Sequence, residues 1–184
     1  MPIFGQWRTE RRNQERAERF VNGALAEPAS DDVAWLAEVA TRGDTDHAAW
    51  ELRYARRALS LVSAQRDALD DRTGAVVAHA MAGAFERDAN IGRDRLELAQ
   101  HQFNARLSAY RDAVGAKVSA ATPARLGRTL LAFAGGSFRE VDANVARAGD
   151  LLSNYLRGAN DALREVFGTA ALPEHVPPSA INRR

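Results

Sequence analysis

The sequence predicts an all-α protein. Apolar residues recur at spacings of three and four along almost all of its 184 residues, which places them on one face of a helix. Alternating runs rich in Val, Ile and Thr, which would predict strands, are absent from the sequence. We therefore predict an antiparallel helical bundle of four long helices, 44–69, 72–89, 94–117 and 138–167, with three shorter or peripheral helices, 6–26, 31–42 and 123–134.

The boundaries of the first four helices follow from capping residues. The segment 6–26 is highly charged, and its apolar residues gather near its end. Ser30 or Asp31 is the expected N-cap of the helix 31–42, which Gly43 ends. Asp44 is the expected N-cap of the helix 44–69. The helix 72–89 is rich in small residues, AVVAHAMAGA, which let neighbouring helices approach closely.

Three further capping signals mark the N-terminal ends of the last three helices. They are an acidic pair with capping-box spacing at 94 and 97, a Thr-Pro pair at 122–123, and a full S-x-x-E capping box at 137–140. The helix 138–167 would be about 45 Å long. It is much longer than the helix 72–89, so its end is free to extend beyond the bundle and meet a partner.

The predicted organisation has three parts. Residues 1–27 form a charged N-terminal helix with an aromatic tip, residues 28–168 form the helical bundle domain, and residues 169–184 form an irregular tail that contains three prolines. No linker is long enough to separate two globular domains.

The composition excludes several classes of protein. Without cysteine, the chain has no disulfide, thiolate metal site or thiol nucleophile, and it is compatible with a reducing cytoplasm. A net charge of +1 argues against bulk electrostatic capture of nucleic acid. No apolar run approaches the ~20 residues of a transmembrane segment. We expect a soluble cytoplasmic protein.

The sequence contains no familiar catalytic motif. It has no G-x-S-x-G elbow, P-loop, G-x-G-x-x-G or H-E-x-x-H. A di-iron bundle would need Glu-x-x-His on two helices, and that motif is also absent. We therefore predict no catalytic residue, no cofactor and no metal, and we favour a non-enzymatic protein over an enzyme.

A polar cluster on the helix 44–69 is the main candidate site. On a helical wheel, His47, Glu51, Tyr54 and Gln65 lie between two apolar stripes, so this helix is expected to be central and Glu51 to face protein. A carboxylate carried inward needs a partner. The favoured interpretation is a structural clasp in which His47, Tyr54 or an arginine of a neighbouring helix binds Glu51. The alternative is a ligand or metal pocket, which could serve an enzyme.

Two surfaces are candidates for contact with a partner. Ile3, Phe4 and Trp7 precede a charged helix, and they could dock on another protein, contact a membrane surface through residues 1–25, or fold back on the bundle. On the helix 72–89, His79 and Glu86 lie two turns apart on one face. The favoured interpretation is a solvated face, and the alternative is a groove for a partner helix.

The function favoured by the sequence is that of an interaction protein: an adaptor, an assembly subunit or a regulatory module. It would bind a protein partner or form a homo-oligomer. The competing hypothesis is a ligand- or metal-binding bundle, which could be an enzyme, centred on His47, Glu51 and Tyr54.

Overall fold

A computed structural model describes residues 3–68, 70–116, 121–137 and 143–168, and of residues 3–7 it describes the backbone alone. The regular structure in these ranges is entirely helical, which confirms the all-α class. One short 3₁₀-helix spans Arg93–Arg95. The α-helices are α1 Ile3–Ala24, α2 Ser30–Val39, α3 Thr45–Asp67, α4 Asp71–Glu86, α5 Leu96–Gly115, α6 Thr122–Phe133 and α7 Ala143–Phe167.

Capping residues fix the ends of the central helices. The carboxylate of Asp44 accepts a hydrogen bond from the backbone N–H of His47 at 2.9 Å, as predicted, and it begins α3. Asp70 does the same for α4 by accepting from the N–H of Thr73 at 2.6 Å. Gly43 has a φ of +87°, a left-handed conformation that glycine adopts without strain, and it separates α2 from α3. The predicted capping box at 137–140 lies partly outside the described residues.

The central element is α3, as its two apolar stripes predict. It packs against each of the other six α-helices. Its inner residues are fully buried, among them Ala48, Leu52, Ala55, Ala58 and Leu59. The enclosure of α3 explains why a polar side chain on it must find its partners within the protein.

Five helices follow one another around α3 in the order α4, α1, α7, α6 and α5. Each helix in this series packs against the next, but the backbones of α5 and α4, which would complete the ring, make few contacts, and the two helices meet at the rings of Phe85 and Phe103, 4.7 Å apart. The predicted antiparallel bundle of four long helices is not confirmed. Both α1 and α6, predicted to be peripheral, contribute fully buried apolar residues to the common core, such as Phe20 and Leu130. The remaining helix, α2, packs on α3.

The closest approach between helices in the ring is at the seam between α6 and α7. Gly127 of α6 lies against the backbone of Val145 and Gly149, and Gly149 of α7 lies against the carbonyl of Pro123. A Cβ atom at either glycine would overlap these backbone atoms. The two helices therefore meet with their backbones in contact, which only glycine allows at these positions.

Candidate functional site

The carboxylate of Glu51 lies in the interior, with an exposed fraction of 2%. Both of its oxygens accept hydrogen bonds from the guanidinium of Arg106 on α5: Nε donates to Oε2 at 2.8 Å, and Nη2 donates to Oε1. The half-exposed His47 is one turn earlier on α3, with Nε2 3.4 Å from Oε1. Such a two-pronged pair satisfies a buried carboxylate with strong, directional bonds.

Arg106 is held in place by more than its carboxylate. Its Nη1 donates to the carbonyl of Gln102 at 3.0 Å, and its guanidinium lies 5.0 Å from the ring centre of Tyr54 and 4.6 Å from that of Phe133. Burial lowers the pKa of Arg106, but the hydrogen bonds and charge of Glu51 outweigh burial and raise it. Arg106 therefore keeps its positive charge.

Tyr54 makes a hydrogen bond in the cluster and also packs among aromatic rings. Its hydroxyl donates to Oε1 of Gln102 at 3.2 Å. Its ring lies 5.4 Å from that of Trp50 and 6.4 Å from those of Phe85 and Phe103. Burial raises the pKa of Tyr54, and the positive charge of Arg106 opposes that rise only in part. Tyr54 is therefore a neutral hydrogen-bond donor and not a phenolate.

A second buried ion pair, which the sequence interpretation missed, joins α3 to the end of α4. Nη2 of Arg57 lies 2.6 Å from Oδ2 of Asp88, and both side chains are buried. Burial raises the pKa of Asp88, but hydrogen bonds from the backbone and side chain of Asn90 and from Arg57 hold it below its ordinary value. The Nε and Nη1 atoms of Arg57 have no hydrogen-bond partner among the described residues. Its guanidinium lies instead over the ring of Phe85, at 5.0 Å.

Gln65, the fourth residue of the predicted cluster, is separated from the other three. Its side chain is exposed and accepts a hydrogen bond from Nη2 of Arg111 at 2.8 Å. The wheel places Gln65 on the face of Glu51, but it is fourteen residues further along, or about 21 Å of helix. At that distance a shared face does not make a shared site.

The predicted N-terminal contact residues remain predictions. The backbone of Ile3, Phe4 and Trp7 lies in α1, but their side chains are outside the described part of the structure. The predicted tail, 169–184, also lies outside it. Within the residues that the structure places, no helix has the length and apolar character needed to span a membrane.

The sequence contained a signal for Arg106. Phe103 and Tyr110, three before and four after it, are buried on the α3-facing side of α5, so an arginine between them must also point inward. The basic residues of this region appear scattered when the whole segment is considered. Only the position of Arg106 between two aromatic residues distinguishes it from the others.

The cluster has little capacity for chemistry. Both oxygens of Glu51 already accept hydrogen bonds from Arg106, so a metal ion or a substrate would have to compete with this guanidinium. Across the described ranges, no three of His, Asp and Glu come together in a way that could hold a metal ion. The geometry is that of a clasp joining α3 to α5.

A groove lies between α4 and α5, at the break in the ring. It has a volume of about 230 Å³ and reaches down to Leu61 of α3. Polar side chains, Gln100 and Asn104, stand among its lining residues on α5. Its apolar lining consists of Leu61, Ala78, Met81, Ala82, Phe85, Phe103 and Leu107. We call this feature the α4–α5 groove.

The sequence matches no protein-family model, no curated protein and no solved structure.

Proposed function

We propose that the protein is a non-enzymatic interaction module that binds an amphipathic helix of a partner protein in the α4–α5 groove. The observation that carries this proposal is the break in the ring of helices around α3. Of the neighbouring helices in the ring, α4 and α5 approach each other least, and the lining of the groove between them is mostly apolar.

The lining suits the apolar face of a helix. Ala78 and Ala82 are small and lie one turn apart on α4, so a partner backbone can come close to that wall. Phe103 and Leu107, also one turn apart, line the groove on α5. Binding of this kind uses apolar anchors spaced three, four and seven residues apart on the partner.

The two walls of the groove are anchored independently of each other. Glu51 holds α5 through Arg106, and Arg57 holds the end of α4 through Asp88. Both anchors are on α3, and the two walls meet each other at the rings of Phe85 and Phe103, whose centres are 4.7 Å apart. A groove that exists before the partner arrives avoids part of the ordering cost of binding.

The competing hypothesis of a ligand, metal or catalytic site at His47, Glu51 and Tyr54 has less support. Glu51 is already satisfied by Arg106, and Tyr54 by Gln102. Absence of cysteine and balanced charge support a place in the cytoplasm for the proposed module.

Photo-crosslinking tests the proposal. A photoreactive amino acid replaces Ala82 in one protein and, as the matched control, the exposed Ala105 of α5 in another, and adducts formed in a lysate of the native organism are mapped by mass spectrometry. We expect an adduct at position 82 that is absent at 105, within a segment of the partner with helical apolar spacing. The synthetic segment then binds the unmodified protein.

The affinity of that segment gives the second half of the test. Ala82→Arg, which puts a charge in the groove, should weaken binding at least about 10-fold, while Ala105→Arg leaves it unchanged. Equal adducts at both positions, no adduct at position 82, or a segment that binds Ala82→Arg normally would contradict the proposal. An adduct to a second copy of this chain would show that the groove binds another copy of the protein, which would then be a homo-oligomer.

A further inference from the structure

A second cavity lies below the connection between α4 and α5, and it is separate from the groove. It has a volume of about 220 Å³. Its lining includes two aromatic residues of α3, Trp50 and Tyr54, together with Asn90 of the connection and the start of α5. We propose that this cavity, which we call the Trp50 pocket, binds a small aromatic carboxylate with one ring.

The apolar part of the pocket suits a single ring. The rings of Trp50 and Tyr54 are 5.4 Å apart and inclined at 39°, which gives two walls at an angle. Leu98 is also part of the lining, and it is the one large apolar side chain that is exposed within the described ranges, at 50%. A ring placed between Leu98 and the aromatic walls would remove this side chain from water.

The polar part of the pocket includes two donors, Arg95 and Gln102. The side chain of Arg95 is 72% exposed, and its ion pair with the exposed Asp94 is long at 3.4 Å. The side-chain oxygen of Gln102 accepts from Tyr54, which leaves its amide NH₂ to donate. A carboxylate on the ligand would accept from these groups, and the two-pronged geometry of arginine favours it over a neutral amide.

The size of the pocket sets the ligand class. Sites for drug-sized molecules have volumes of roughly 300–1,000 Å³. The Trp50 pocket is smaller, so it has room for one ring and a short acidic group, and not for a nucleotide or a fused polycyclic ligand. This proposal does not depend on the proposed function, because the groove and the Trp50 pocket share no lining residue.

The test compares charged and neutral ligands of the same shape. Benzoate, phenylacetate and 3-phenylpropionate, each beside its carboxamide, are titrated by isothermal calorimetry into the full chain and into Arg95→Gln. Arg111→Gln is the matched control, because Arg111 is an exposed arginine of α5 that does not line the pocket.

We expect saturable binding of at least one carboxylate, about 10-fold tighter than that of its amide. Arg95→Gln should abolish this preference, Arg111→Gln should keep it, and Leu98→Ser should weaken acid and amide alike. The absence of saturable binding by all three acids, equal affinity for acid and amide, or a preference that survives in Arg95→Gln would overturn the proposal. Circular dichroism of each variant verifies that the fold is retained.

Discussion

The seam between α6 and α7 and the gap between α4 and α5 are the two extremes of helix packing in this molecule. At the seam, glycine on both helices lets the backbones touch. At the gap, alanine on α4 faces phenylalanine and leucine on α5, the backbones make few contacts, and the helices meet at the rings of Phe85 and Phe103. Small residues on one helix alone do not close an interface. Beside the gap, α4 and α5 are each joined to α3 by a buried ion pair.

The largest effect is expected from removing the anchor of α5. Glu51→Ala leaves Arg106 largely buried without its carboxylate, and we expect a loss of about 3–5 kcal/mol in the free energy of unfolding. Denaturant titration measures this loss. If α5 were held mainly by apolar contacts, the loss would remain below about 1 kcal/mol, and the role given to the ion pair at the gap would be wrong.

The seam should be the next most sensitive place. Gly149→Ala places a Cβ against the carbonyl of Pro123, so α6 and α7 must move apart. We expect a loss of about 2–3 kcal/mol, measured as a lower denaturation midpoint at an unchanged slope. An unchanged midpoint would mean that the seam can separate without cost.

Acid should release the anchor of α4. The pKa of Asp88 is below its ordinary value of 3.8 in the folded protein, so between the two pKa values the unfolded chain binds more protons. The stabilisation is complete above pH values near 4, and it is lost as the pH falls through the lower, folded pKa. Unfolding free energies of the parent and of Asp88→Asn, measured from pH 5 downward, should therefore converge. A difference that stays constant with pH would show that ionisation of Asp88 does not stabilise the fold.

A glycine outside the seam provides the matched control for Gly149. Gly158 is on the same helix, but a Cβ there would meet no atom within 4 Å. Gly158→Ala should therefore stabilise the protein by about 0.5–1 kcal/mol, because alanine is the better helix former. Thermal unfolding followed by circular dichroism would show this as a higher midpoint. A lower midpoint would indicate that α7 needs glycine beyond the seam.

Filling the gap should have the smallest effect on stability. Ala82→Leu adds apolar volume at an exposed position in the lining of the groove, so we expect a change within about 0.5 kcal/mol by denaturant titration. A large loss would show that the groove is narrower than its lining suggests, and a large gain would show that the two helices can be joined.

Much of the local structure could be predicted from the sequence. Asp44 and Gly43 fixed the beginning of α3, and the two apolar stripes of that helix required a central position. The burial of Glu51 followed from the same pattern, as did its need for a partner. These features depend on residues close together in the chain, where helical periodicity relates sequence to direction.

The long-range contacts could not be predicted in the same way. A wheel drawn for α3 does not indicate which arginine reaches Glu51, nor that Ser60 and Ser63 on the same helix are buried. The break in the ring depends on the positions of all the helices at once, so no single segment encodes it.

The placement of both anchors on one helix has a consequence for how this protein can diverge. Glu51 and Arg57 are six residues apart, about 9 Å along α3, and neither lines the α4–α5 groove. Substitutions at an exposed lining position such as Ala82 therefore leave both pairs in place, so specificity could drift there, whereas the buried lining residues Leu61, Met81, Phe85 and Phe103 are part of the core. Descendants of this chain could thus exchange one binding preference for another while keeping the same two pairs of charges inside.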